Sequence, residues 1–172
     1  GTVHKKVEEY DLINKTIYRP NPGSGIRRIL NIIKFLFINF KDFKFLFKSI
    51  SPKYYGDFGK KGYFLFELIP FLKKTNRNFD IIHAHFGNVG NKIAMIKDLG
   101  VLKGPLFTTF YGHDINDVRQ KKYQDNYKML EKHGTYNLFV TGDLLEKYKS
   151  LTNSNLPLSV LPSNINQELF KA

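Results

Sequence analysis

Cysteine is absent from the 172 residues, which removes a disulfide framework, a thiolate metal site and a cysteine nucleophile together. No uninterrupted apolar run reaches the roughly 18 residues that a membrane-spanning helix needs. The first ten residues are polar and charged and do not read as a secretory leader. Serine never stands in a G-x-S-x-G elbow, and the glycines at 87 and 90 lack the G-x-G-x-x-G spacing of a phosphate-binding turn. Neither an internal repeat nor a low-complexity linker is found. Negative charge is scarce as well: 15 Asp and Glu face 27 Lys and Arg.

What is present suits a folded domain. With 42% hydrophobic and 15% aromatic residues the chain can build a core, and its length fits one domain. The charge is unevenly spread. Residues 1–77 hold 16 Lys and Arg against 6 Asp and Glu, whereas the remaining 95 hold 11 against 9. A basic surface on the first part favours anionic lipid, nucleic acid or phosphorylated substrates through long-range attraction. The plainer reading is a face of solvated lysines.

The stretch 79–116 organises the rest. Asp80, Ile81 and Ile82 open a short apolar strand that ends in His83, Ala84, His85, Phe86 and Gly87. Ile93, Ala94, Ile96 and Leu99 follow at helical spacing, and Gly100 and Gly104-Pro105 stop that helix. Residues 106–110 read as a second strand, delivering Tyr111, Gly112, His113 and Asp114 to a turn. Further on, Asp117 is a candidate N-cap for a helix over 118–132 with Tyr123, Tyr127 and Leu130 inward. Residues 137–141 read as a third strand, Gly142-Asp143 as a tight turn, 144–151 as a helix and 158–161 as a fourth strand, after which Pro162-Ser163-Asn164 leads into 166–170. Strands joined by helices pair in parallel, so the expected fold is α/β, a Rossmann-like parallel sheet with flanking helices. Ligands of such sheets bind beyond the carboxyl ends of the strands, which places both histidine clusters at one crevice.

Before residue 79 the pattern is less regular. Residues 12–18 alternate as a short strand, and Arg19 to Gly23 break it. Ser24 is a plausible helix cap. From 26 to 50, Ile29, Ile33, Leu36, Phe40, Phe43, Phe47 and Ile50 recur at helical spacing, and Arg27, Lys34, Lys41 and Lys48 recur every seven residues. Two core-packed helices broken near 39–42 are the favoured reading; a segment lying in a bilayer interface with its lysines on anionic head groups is the other. Residues 53–61 read as an aromatic, glycine-containing loop, and 63–74 as a helix kinked or capped at Pro70.

His83 and His85 share one strand face, the pattern of a two-imidazole metal site, but the remaining histidines are only His4, His113 and His133, too few for a convincing ligand set. His83 and Asp114 serve equally well as partners of backbone groups at strand ends and caps.

In register along the chain, DIIHAHFG at 80–87, TTFYGHDI at 108–115, FVTGDLL at 139–145 and VLPSNINQELF at 160–170 resemble successive landmarks of the amino-terminal half of glycosyltransferase family 4. The resemblance implies a GT-B architecture, with residues 1–164 a partial amino-terminal, acceptor-binding domain, 165–172 the start of an interdomain linker, and the donor-binding domain outside the sequence. It implies a retaining transfer from a nucleotide-sugar, bound through that second domain, to a cell-surface glycan or lipid-linked acceptor. By itself the segment is then expected to be inactive. Tyr111 and His113 fall at catalytic positions, although relatives carry His where Tyr111 stands. His83, His85, Phe86, Gly87, Asn88, Gly112, Asp114, Thr141 and Gly142 fall at acceptor-binding positions. Arg27, Lys34, Lys41 and Lys48 would face a membrane. No cofactor, no metal and no nucleic-acid partner is implied, and the setting is cytoplasmic or peripheral at the inner face of the plasma membrane. The alternative is a noncatalytic basic α/β module that binds anionic membrane or nucleic acid; against nucleic acid stands the absence of a recognition-helix or single-strand-binding motif.

Overall fold

The computed structural model describes residues 5–74, 76–116 and 123–163. The chain forms two compact units, Gly1–Thr75 and Asn76–Ala172, a division inside the 1–164 span that the sequence assigns to a single domain. Among the described residues, elements of sheet occur only in the second unit, so the Rossmann-like description belongs to it.

In the first unit every described element is helical: α1 (Lys5–Glu9), α2 (Leu12–Lys15), α3 (Gly25–Ile38), a 3-10 turn at Phe40–Asp42, α4 (Phe43–Ser49), α5 (Pro52–Lys60) and α6 (Tyr63–Leu72). Two expectations are corrected. Residues 12–15 are a helical turn rather than a strand. Local bonds close it, from Asn14 Nδ2 to Asp11 Oδ1 at 2.7 Å and from Thr16 Oγ1 to the Leu12 carbonyl at 2.5 Å. Residues 52–60 are a helix, not a loop, and the glycine that suggested a loop marks its kink: Tyr55 and Gly56 leave helical geometry, Gly56 at φ +53°. The centre of the unit is α6. Phe64, Leu65, Phe66, Leu68, Ile69, Pro70 and Leu72 are all buried, as a helix that is apolar all round requires.

A third correction concerns the apolar stripe of 26–50. The break at 39–42 is where the sequence places it, but most of the stripe does not pack inward, and of its residues only Leu36 and Ile50 are half-buried. No residue of α3 is fully buried, and Ile29, Ile33, Phe40, Phe43 and Phe47 are exposed. The inward side of α3 carries Arg28, Ile32 and Phe35 instead. Phe35 meets Phe66 edge-on at 5.6 Å, and the Arg28 guanidinium lies 4.9 Å from the Tyr63 ring centre while donating to its hydroxyl at 2.6 Å. A cation on the inner face is tolerable because an aromatic ring and a hydroxyl receive it.

The second unit runs β1 (Ile82–His85), α7 (Gly87–Asp98), β2 (Leu106–Phe110), α8 (His113–Asn116), α9 (Tyr123–His133), β3 (Tyr136–Phe139), α10 (Gly142–Leu151) and β4 (Leu158–Val160). The four strands form one sheet in the order β1-β2-β3-β4, every pair parallel. Register sets Ala84 beside Thr108 and Thr108 beside Asn137, so these side chains share one face with Leu106, Phe110 and Phe139. That face joins Ala94 of α7, Tyr127 and Leu130 of α9, and Leu145 and Tyr148 of α10 in a single core. At its centre Phe110 stacks on Phe139 at 5.1 Å, and both rings meet Tyr148 at 5.1 Å. By alternation His83, His85, Phe107, Thr109, Tyr136 and Leu138 belong to the other face.

Helix starts in this unit differ from the expected ones for local reasons. Thr141 caps α10, its Oγ1 accepting from the Leu144 amide at 3.3 Å, so Gly142-Asp143 opens the helix rather than forming a separate turn. Tyr127 and Leu130 are buried as expected, whereas Asp117, the side chain of Tyr123 and the segment 166–170 lie outside the described residues. Among the described residues no helix is long and apolar enough to cross a membrane.

Candidate functional site

Parallel pairing puts the carboxyl ends of β1, β2 and β3 at one sheet edge. Residues following β1 and β2 meet there. His85 Nδ1 is 2.6 Å from the Tyr111 hydroxyl, and their rings stack at 5.8 Å between centres. His83 lies one side-chain position back on the same strand face, its ring 4.5 Å from that of His85 and its Nε2 2.8 Å from Thr109 Oγ1. Phe86, exposed beside them, meets the Tyr111 ring at 5.0 Å.

Asp114 holds this corner together. Its Oδ2 accepts from the Gly87 amide at 2.7 Å, and its Oδ1 accepts from the Gly112 and Tyr111 amides at 2.9 and 3.3 Å. The turn after β1 is thereby tied to the turn after β2. The Asp114 carbonyl in turn accepts from the Tyr127 hydroxyl at 3.0 Å, anchoring the corner to α9. Of the two roles open to Asp114 in the sequence, the backbone role is the one its oxygens perform.

The chain bends sharply to make the corner. Phe86 takes φ +73°, unusual for a residue with a side chain, as its amide donates to the Thr109 carbonyl at 2.8 Å. Gly87 follows because nothing larger fits: a Cβ there would lie 2.2 Å from Phe110 Cε1 and 2.7 Å from Tyr127 Cε1. Gly112, at φ +117°, supplies the matching turn after β2.

The electrostatics favour a neutral imidazole at His83. Partial burial first, and the neighbouring His85 second, hold His83 below the ordinary histidine value. In either neutral tautomer, His85 bonded through Nδ1 to Tyr111 would offer its Nε2 in the complementary role: as an N–H donor when Tyr111 donates, and as an acceptor when Nδ1 carries the proton. Among the described residues Nε2 has no partner. The corner therefore combines a switchable hydrogen-bonding group with an exposed aromatic pair, a surface suited to a ligand that has hydroxyls on its rim and apolar C–H faces.

The sequence-predicted residues divide accordingly. His83, His85, Phe86, Gly87, Tyr111, Gly112 and Asp114 come together. His113 starts α8, is exposed, and has no hydrogen bond or ring contact among the described residues. Asn88 is likewise exposed. Thr141 and Gly142 follow β3, two strand spacings or about 10 Å from β1, and the Thr141 hydroxyl is engaged as the α10 cap. Thr109 and Tyr127 were missed. Thr109 could have been found from the pairing of the two predicted strands, since it sits beside His85 in the register. Nothing local in the sequence signals the bond from Tyr127, which comes from the next helix. Among the described residues no three His, Cys, Asp or Glu side chains are grouped to hold a metal.

Fold and site together define an α/β protein with a Rossmann-like parallel sheet and a histidine–tyrosine corner at its carboxyl edge. Comparison with protein-family models, with curated proteins and with solved structures returns no match.

Proposed function

We propose that this chain forms the acceptor-side wall of a glycosyltransferase resembling family 4, which moves a sugar from a nucleotide-sugar to a cell-surface glycan or lipid-linked acceptor. The observation that carries the reading is the 2.6 Å His85–Tyr111 bond next to the exposed Phe86–Tyr111 ring pair at the carboxyl edge of a parallel sheet. The rings present a platform for the apolar face of a sugar ring, and His85 Nε2 meets one of its hydroxyls. Asp114 positions both without touching the ligand. Glycosyl transfer passes through an oxocarbenium-like state, so the reaction needs an acceptor hydroxyl held in line and stabilisation of the departing phosphate. The corner answers the first need; the second falls to a nucleotide-binding wall.

Saturation-transfer NMR on the 172-residue chain, with a panel of short neutral glycosides, tests the binding step. Contact signals from the ring protons of at least one glycoside are expected, weakened about fivefold by His85→Ala through loss of one hydrogen bond. Silence across the panel, or signals indifferent to both His85→Ala and Tyr111→Ala, would overturn the assignment. The second reading, a noncatalytic basic module, is favoured by a different observation: the exposed apolar face of the first unit.

A further inference from the structure

The first unit turns outward a face that its composition would ordinarily bury. On α3, Ile26, Ile29, Leu30, Ile33 and Phe37 form one stripe, each between 45% and 77% exposed. From the 3-10 turn into α4, Phe40, Phe43 and Phe47 continue it as a ladder of rings, 5.8 Å from centre to centre at each step, and all three are exposed. Single exposed apolar residues are ordinary on a protein surface, but a continuous run of this kind marks a contact surface.

Charge identifies the partner. Between residues 25 and 50 stand six basic residues against one acidic residue, Asp42. Arg28 is turned inward to Tyr63, whereas Arg27, Lys34 and Lys41 are exposed. At 100° per residue, Arg27 and Lys34 fall roughly 80–100° from the middle of the α3 stripe, along one margin of it. An apolar stripe margined by cations is the arrangement of a helix lying in a membrane interface, its apolar side a few ångströms below the head groups and its cations among the phosphates. A second copy of this chain would oppose like basic margins instead.

We infer that α3 and α4 form an in-plane docking element for an anionic bilayer surface, with the isoleucine and phenylalanine stripe inserted and Arg27, Lys34 and Lys41 on lipid phosphates. The inference does not depend on the transferase reading.

The chain contains no tryptophan, so Phe37→Trp introduces a single reporter on the stripe. With the whole 172-residue chain, its emission should move to shorter wavelength on adding phosphatidylcholine vesicles that contain phosphatidylglycerol, and stay put with phosphatidylcholine alone. A control tryptophan at exposed Lys149 should not respond. Neutralising Arg27, Lys34 and Lys41 to Gln should lower vesicle partitioning roughly 100-fold, since each near-surface charge contributes about a fivefold factor. Added salt should weaken the wild-type response. These side chains are exposed, and an unchanged far-ultraviolet circular dichroism spectrum verifies the fold of each variant. Equal response to neutral and anionic vesicles, or none to either, would overturn the inference. So would a reporter already blue-shifted in buffer together with a dimer in sedimentation velocity, which would give the face to a second copy.

Discussion

In the second unit Phe110 stacks on Phe139 with both rings fully buried, whereas in the first unit Phe43 stacks on Phe47 with both rings exposed. Ring pairing as such contributes a similar amount in either place, about 0.5–1.5 kcal/mol. What separates the two is desolvation, at about 25 cal/mol per Å² of apolar surface removed from water. Aromatic content is therefore not a measure of core content. In one unit the rings hold a sheet to its helices, and in the other they are left available for a partner.

Truncating one ring from each set separates the two roles by the largest margin. Phe110→Ala should cost about 3–5 kcal/mol, the range for a large aromatic removed from a packed core, read as faster hydrogen exchange of β2 and β3 amides. Phe47→Ala should change stability by less than about 0.5 kcal/mol; a loss matching that of Phe110→Ala would make the outer ladder a core. Next in size is Asp114→Ala, expected to cost about 1.5–3 kcal/mol because charge-assisted bonds to backbone amides are lost. Exchange at Gly87 and Gly112 should quicken with it, and unchanged exchange there would remove Asp114 from its clamping role.

The smallest effect is a titration. His83 is held below the ordinary value of about 6.5, so its neutral form is favoured in the folded state. The unfolded chain then binds the proton more readily, and the contribution to stability is present above pH about 6.5 and lost as pH falls through the lowered folded value. Following the His83 ring protons by NMR should give a midpoint below that of a free histidine, moving upward in His85→Ala as one of its two causes is removed. A midpoint at the free value would contradict the geometry of the pair.

The second unit was legible in the sequence because its signals are local. Short apolar runs between glycine and proline punctuation gave β1, β2 and their helices, and parallel pairing followed from the helices between them. The His85–Tyr111 contact was implicit in two strand ends meeting at one edge. The start of α7 at Gly87 was not, since it depends on the bent Phe86 and on Asp114 from a turn 27 residues away. The first unit was harder to read. Residues 12–18 are too few to separate an alternating from a helical period when no neighbouring strand decides. In α3 apolar residues stand on the exposed stripe and also at Ile32 and Phe35 on the inward side, so periodicity finds a stripe without saying whether it faces inward. Tyr63 decides that by receiving Arg28, and the partnership spans 35 residues.

The strand order carries a consequence for how the second unit is made. Because the sheet runs β1-β2-β3-β4 in chain order, no strand has to be inserted between two that have already paired. Each new strand can add to the edge left by the one before, after a loop closure no longer than a single crossover, which keeps the sequence separation of contacts low for a parallel sheet. During synthesis, with the amino-terminal part emerging first, the edge opposite β1 would be occupied in turn by each next strand off the ribosome. A topology that reads like a queue is one the chain can assemble while it is still being translated.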